Sequence, residues 1–264
     1  MPAVPRFSGQ FSVKHLGFRF VRYQFVDCRW ELGRPERGRE LYLEGHVPGA
    51  SFLDVERDLS APPGGADGGR HPLPTAEDFA RVAGAAGIGP DVLVVGYDQG
   101  MTGGAARLWW LLRHFGHDEA AVLAGGLDGW LGPLRSGEGE IEAAEFLPRP
   151  AGDDVVAADD LLARLGQGGL VILDARTPER YRGEAEPIDP VAGHIPGARN
   201  LPYADWARVP DDLLGTEDDV VVYCGSGITA CVDVLALERA GVRAKLYPGS
   251  WSEWSARGLP VERG

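Results

Sequence analysis

Short runs of β-branched residues alternate with helical stretches along the chain. In the second half, "LVILDA" (170–175) and "VVVYC" (220–224) read as strands. "DDLLARLG" (159–166) and "ITACVDVLALERAG" (228–241) fit helices, each stopped by glycine. Continuous apolar strands separated by helices predict an α/β fold, a parallel sheet with helices on both faces. Ligands of such sheets bind beyond the carboxyl ends of the strands. Cys224 stands at that end of "VVVYC".

The pattern is written twice. "FVDCRW" (25–30) echoes "ILDART" (172–177), and "GHVPGA" (45–50) echoes "GHIPGA" (193–198). "DVLVVGYDQG" (91–100) echoes "DVVVYCGSG" (219–227), and "GGLDGW" (125–130) echoes "GSWSEW" (249–254). Matches in the same order predict two homologous domains, 7–137 and 153–264. The acidic, Gly- and Pro-containing stretch "SGEGEIEAAEFLPRPAGDD" contains the expected linker, 138–152.

Composition narrows the function classes. The 264 residues are 44% hydrophobic and 25% charged, as in a globular protein with real cores. A net charge of −13 argues against nucleic acid or an anionic membrane as partner, since both need a basic footprint. The N-terminal "MPAVPRFSGQFSVKHLGF" has no continuous apolar segment of signal-peptide type, and no run is long enough to span a bilayer. Three cysteines make no disulfide framework, so a reducing, cytoplasmic location is expected. No metal or cofactor motif is evident.

The loop after Cys224 is the candidate chemistry. The backbone of Gly225, Gly227, Ile228 and Thr229 leads into a helix. Glycines let N–H groups converge, and the helix N-terminus adds free N–H groups and its positive dipole end. Such a cradle binds an anion, either the Cys224 thiolate or the outer sulfur of a persulfide. A purely packing cysteine would not need it. Cys231, inside the apolar helix, and Cys28 read as structural. A cysteine phosphatase is disfavoured, because the position six after Cys224 is Ala230 where a clamping arginine would stand.

These residues resemble the two-domain rhodanese family of sulfurtransferases. The resemblance rests on "GH-PGA" in both halves, "LDAR" followed by "ERYRGEAEP", the loop "CGSGIT" and the terminal "YPGSWSEW", and it covers nearly all the chain. It implies that sulfane sulfur passes through a persulfide on Cys224 to cyanide, a thiol or a thioredoxin-like protein. It implies that Arg180 binds the donor, Ser226 relays a proton, and Asp174 supports the loop or the arginine. It also sets His71, in "GGRHPLP", at the interdomain cleft, and makes the first domain a non-catalytic copy. There Asp98 replaces the cysteine, and "MTGGAARLWWLL" shows none of the cradle spacing. His46 and His194 recur in both halves and are expected to be architectural; Trp251 and Trp254 are expected to pack at the C-terminus. A persulfide carrier serving a partner protein would use the same loop.

Donor choice is divided. Thiosulfate-preferring members carry two basic residues after the cysteine, whereas Gly225 and Ser226 are neutral, which favours 3-mercaptopyruvate. Against this, Asp189 occupies the position nine after Arg180 where mercaptopyruvate enzymes have a second arginine. A carboxylate facing the site would repel a carboxylate substrate.

Overall fold

The computed structural model describes residues 22–264. The expected start of the first domain at residue 7 and the N-terminal stretch 1–18 lie outside the described residues. The first unit runs β1 (Arg22–Asp27), α1 (Arg37–Glu44), β2 (Ser51–Phe52), α2 (Ala76–Ala85), β3 (Val92–Tyr97), α3 (Gly104–His114) and β4 (Ala120–Val122). The second runs α4 (Ala158–Arg164), β5 (Leu170–Asp174), α5 (Pro178–Arg182), β6 (Arg199–Asn200), β7 (Asp219–Tyr223), α6 (Ala230–Arg239), β8 (Ala244–Leu246) and α7 (Ser250–Ala256).

Each unit holds a four-stranded parallel sheet, ordered β2-β1-β3-β4 in one and β6-β5-β7-β8 in the other. The central strands are paired so that Asp27 faces Tyr97 and Asp174 faces Tyr223. Both sheets therefore end level, and the residues that follow, Asp98 and Cys224, emerge at the carboxyl edge. The valine runs of β3 and β7 are buried, as strands covered on two faces require.

One scaffold is built in both units. Arg29 forks onto the Asp27 carboxylate and caps the carbonyls of Leu41 and Gly45. Arg176 forks onto Asp174 in the same way and reaches the Gly193 carbonyl at 2.7 Å. His46 bonds the Tyr42 carbonyl and His194 that of Tyr181, each ring stacked on that tyrosine. These buried ions are paired and hydrogen-bonded, which is the condition for tolerating them.

The segment 138–152 carries no helix or strand. It lies along the first unit, where Phe146 is buried against Phe79 and the Arg149 N–H donates to the Phe115 carbonyl. Helices α3 and α6, which follow the two edge loops, pack on each other. A single apolar core runs through that contact, from Leu108 and Leu111 to Cys231 and Leu237. The two carboxyl-edge loops are thereby brought together. No helix among the described residues is long and apolar enough to cross a membrane.

Candidate active site

Cys224 follows β7 directly and is nearly buried, with 2% of its surface exposed. The Gly227 N–H donates to its Sγ at 3.1 Å. Gly227 has φ +80°, and a Cβ there would meet the Pro248 carbonyl oxygen at 2.4 Å, so only glycine fits. The C-terminal segment straps the loop from behind. The Cys224 N–H donates to Ser250 Oγ, the Trp251 N–H to the Cys224 carbonyl, and the Ser252 N–H to the Gly225 carbonyl. Trp251 and Trp254 are fully buried beneath that strap.

The other two thiols are in different settings. Burial, with Asp27 nearby, pushes the Cys28 thiol well up. Burial pushes Cys231 up to about 12, against the opposing pull of Arg107. Both stay protonated and inert at neutral pH.

The first unit has a cradle of its own, contrary to the sequence expectation. The Asp98 carboxylate accepts from the N–H groups of Gly100, Met101, Gly103 and Ala105, between 2.8 and 3.3 Å. Anion binding at this edge is thus a backbone property that survives different glycine spacing. In the first unit a fixed carboxylate fills it permanently; in the second, a sulfur that can react lies there.

The first unit also contributes directly to the second unit's loop. His71 Nδ1 lies 2.7 Å from Ser226 Oγ, and the imidazole is buried with its edge against Trp30. Burial, and then the charges of Arg107 and Arg70, lower the His71 pKa to about 4, so the ring is neutral at physiological pH. Glu56 approaches its other nitrogen at 3.7 Å, beyond hydrogen-bond reach. Arg107, on α3, is completely buried. It donates to the carbonyls of Gly227 at 3.1 Å, His71 at 3.2 Å, Pro72 at 3.3 Å and Leu59 at 3.2 Å. Among the described residues no carboxylate pairs with it. One guanidinium therefore holds both Gly227, whose N–H contacts Sγ, and His71, which carries the imidazole.

Arg180 sits beside this centre in a charged network. It donates through Nε and Nη2 to Glu186 at 3.1 and 2.7 Å, and through Nη2 to Asp189 at 3.2 Å. Burial alone would raise the Glu186 pKa, but hydrogen bonding to Arg180 and to the Asp189 N–H holds it below the usual carboxylate value. Asp189 is also paired with Arg70 of the first unit. A Cβ on Gly225 would lie 3.2 Å from Arg180 Nη1 and 3.3 Å from Arg70 Nη2. Gly225 is thus small because two guanidiniums crowd it, whereas Gly227 is glycine for its backbone conformation.

The structure brings Cys224, Gly225, Ser226, Gly227, His71 and Arg180 to one place. Ile228 turns its side chain into the core, and Thr229 is the residue at which α6 begins, so either could meet a ligand through its backbone. Asp174 touches neither the loop nor Arg180. It bonds Arg176 and the Tyr223 hydroxyl, and reaches Arg180 only through Arg176 and Glu186. Arg70, Glu56 and Arg107 were not singled out from sequence. Arg70 directly precedes His71 and could have been noticed there; Arg107 has no local signal. Among the described residues no group of three or more His, Cys, Asp or Glu side chains is placed to hold a metal ion.

The chain is similar to proteins of one family. The rhodanese-like domain family matches residues 17–132 and again 157–257. A Pseudomonas aeruginosa protein provisionally named 3-mercaptopyruvate sulfurtransferase is 44% identical, over 87% of this chain and 88% of its own. A Mycobacterium tuberculosis protein provisionally named thiosulfate sulfurtransferase SseB is 42% identical, over 90% of each. The crystal structure of the Escherichia coli 3-mercaptopyruvate sulfurtransferase SseA superposes with a TM-score of 0.73 at 35% identity, over 87% of this chain and 92% of that one. Two matched domains in tandem, and relatives of this identity over nearly the full length, place the chain in the family of two-domain rhodanese sulfurtransferases.

Proposed function

We propose that Cys224 takes the thiol sulfur of 3-mercaptopyruvate and hands it, as the sulfane sulfur of a persulfide, to a thiophilic acceptor such as cyanide, a small thiol or a thioredoxin-like protein. The thiolate attacks the donor's sulfur, forming an S–S bond. The C–S bond breaks with its electron pair going to carbon, which leaves as the enolate of pyruvate. The proton originally on the donor thiol ends on that carbon, giving pyruvate and a Cys224 persulfide. The acceptor then attacks the outer sulfur and restores the thiolate; for cyanide the product is thiocyanate. Atoms and electrons balance without an external oxidant or cofactor. Three free thiols, all buried and two of them held protonated, fit a reducing cytoplasmic setting.

The observation that carries the donor assignment is the 2.7 Å contact between Ser226 and a neutral His71. Transfer from mercaptopyruvate must move a proton from sulfur to carbon, and a hydroxyl bonded to a neutral imidazole is suited to relay it. Transfer from thiosulfate releases sulfite and needs no such relay. Arg180 supplies a charge-assisted contact to the donor's carboxylate, and the Gly227 N–H and the α6 N-terminus stabilise the anionic sulfur.

The test compares Ser226→Ala and His71→Gln with the wild type on both donors. The expected result is a fall of about 10²-fold or more in kcat with 3-mercaptopyruvate and a much smaller change with thiosulfate. Equal losses on both donors would remove the relay role. Wild type that uses thiosulfate far better than mercaptopyruvate would overturn the donor assignment.

A further inference from the structure

Among the described residues, Met101 (φ +69°) and Ser250 (φ +53°) are the non-glycine residues with positive φ. Met101 belongs to the loop around Asp98, and Ser250 to the strap behind Cys224. A side chain held in this backbone region costs energy and persists only where its surroundings over-determine it.

Ser250 is fully buried, and its hydroxyl has two partners. Its Oγ accepts from the Cys224 N–H at 3.2 Å and donates to the Tyr247 carbonyl at 2.9 Å. The next residue, Trp251, donates its N–H to the Cys224 carbonyl at 2.9 Å. Two consecutive residues therefore fix both backbone polar groups of the cysteine, whose Sγ lies 3.1 Å from the Gly227 nitrogen. Trp251 is anchored in turn, its buried indole donating to the Val191 carbonyl at 2.9 Å.

The repeat supplies a comparison within the chain. In the match of "GGLDGW" to "GSWSEW", Gly126 stands where the second unit has Ser250. Gly126 has φ +59°, so the backbone turns the same way in both units. The Leu127 N–H donates to the Asp98 carbonyl at 2.9 Å, as that of Trp251 does to the Cys224 carbonyl. A Cβ on Gly126 would meet the Asp98 carbonyl oxygen and the Gly100 nitrogen at 2.5 Å, so the first unit has no room for a side chain there. The unit with Cys224 makes room for one and bears the strain of a serine. What it gains is a hydroxyl on the Cys224 N–H.

We propose that Ser250 is a positioning residue for the Cys224 nucleophile: its hydroxyl pins the cysteine's N–H, which keeps Sγ within reach of the Gly227 N–H. The proposal rests on the sulfur-transfer reading above. Ser250 acts through the cysteine and not on the donor, from which its burial separates it.

The test uses the full chain and the variants Ser250→Gly and Ser250→Ala. Both remove the hydroxyl; glycine also removes the strain, as Gly126 does in the first unit. Two rates are read: alkylation of the Cys224 peptide by iodoacetamide at neutral pH, and kcat/KM for 3-mercaptopyruvate with cyanide as acceptor. Each variant is expected to slow both rates about 10-fold, as the loss of one hydrogen bond would. Ser250→Gly is expected to melt above Ser250→Ala and yet to show the same loss of rate. A merely structural role would loosen the loop, expose the thiol and speed alkylation. Alkylation at or above the wild-type rate in either variant therefore overturns the proposal. Wild type that is alkylated at Cys224 but turns over neither 3-mercaptopyruvate nor thiosulfate takes down the sulfur-transfer reading instead, and the alkylation rates still decide the role of Ser250.

Discussion

Ser226 and His71 meet at 2.7 Å although 155 residues separate them, and the contact joins the two domains. The unit with Asp98 at its edge loop therefore contributes to the candidate site of the unit that has Cys224 there. Its histidine, its two arginines and the helix that packs on α6 are all within reach of the Cys224 loop.

The neutral imidazole makes stability depend on pH. Its folded pKa is about 4, below the 6.5 of a free histidine. Between those values the unfolded chain binds the extra proton, so stability rises with pH across that window. The contribution is complete above about 6.5 and lost as pH falls towards 4, and it is on the order of 3 kcal/mol. Chemical denaturation from pH 4 to 7 should show a shallower pH slope for His71→Gln than for wild type. Parallel slopes would mean that the ring is not held neutral by its surroundings.

Arg107 links the domains through backbone carbonyls on both sides. Arg107→Met takes the guanidinium from the carbonyls of Leu59, His71, Pro72 and Gly227; the Pro72 carbonyl keeps the Ala61 N–H and that of Gly227 keeps the Cys231 thiol. A loss of about 3 kcal/mol or more of stability is expected, together with a fall in kcat. Arg107→Lys should recover part of both. Thermal melting and steady-state rates check this; unchanged values for Arg107→Met would show that the guanidinium holds nothing in place.

Asp233 is fully buried on α6, and among the described residues neither carboxylate oxygen has a hydrogen-bond partner. Burial, then the nearness of Cys224 and Asp174, raises its pKa to about 8. A raised carboxyl pKa gives stability that is complete below the unfolded value near 4 and is lost as pH rises towards 8. Asp233→Asn should therefore become more stable relative to wild type across that range, by on the order of a few kcal/mol at its upper end. A stability difference that does not change with pH would contradict an internal acid at this position.

The parts of the site legible in sequence are those within one short segment. The apolar runs of β5 and β7 and the helical stretches of α4 and α6 lie where hydrophobic pattern and glycine stops place them. Cys224, Ser226 and Gly227 belong to a single strand-to-helix junction. Arg70 and Arg107 act only after the domains have packed, so neither carries a local pattern. The cradle around Asp98 has no such pattern because backbone N–H groups, which no side-chain spacing records, build it. The direction of Asp189 has no local pattern either, because one of its two partners, Arg70, is 119 residues away.

The most direct measurement is the mass of the intact protein, and of its cysteine peptides, after brief exposure to 3-mercaptopyruvate without acceptor. The expected result is a gain of one sulfur atom on the Cys224 peptide, its removal by cyanide with thiocyanate released, and no gain in Cys224→Ser. Sulfur appearing on Cys28 or Cys231 instead, or thiocyanate still formed by Cys224→Ser, would contradict it.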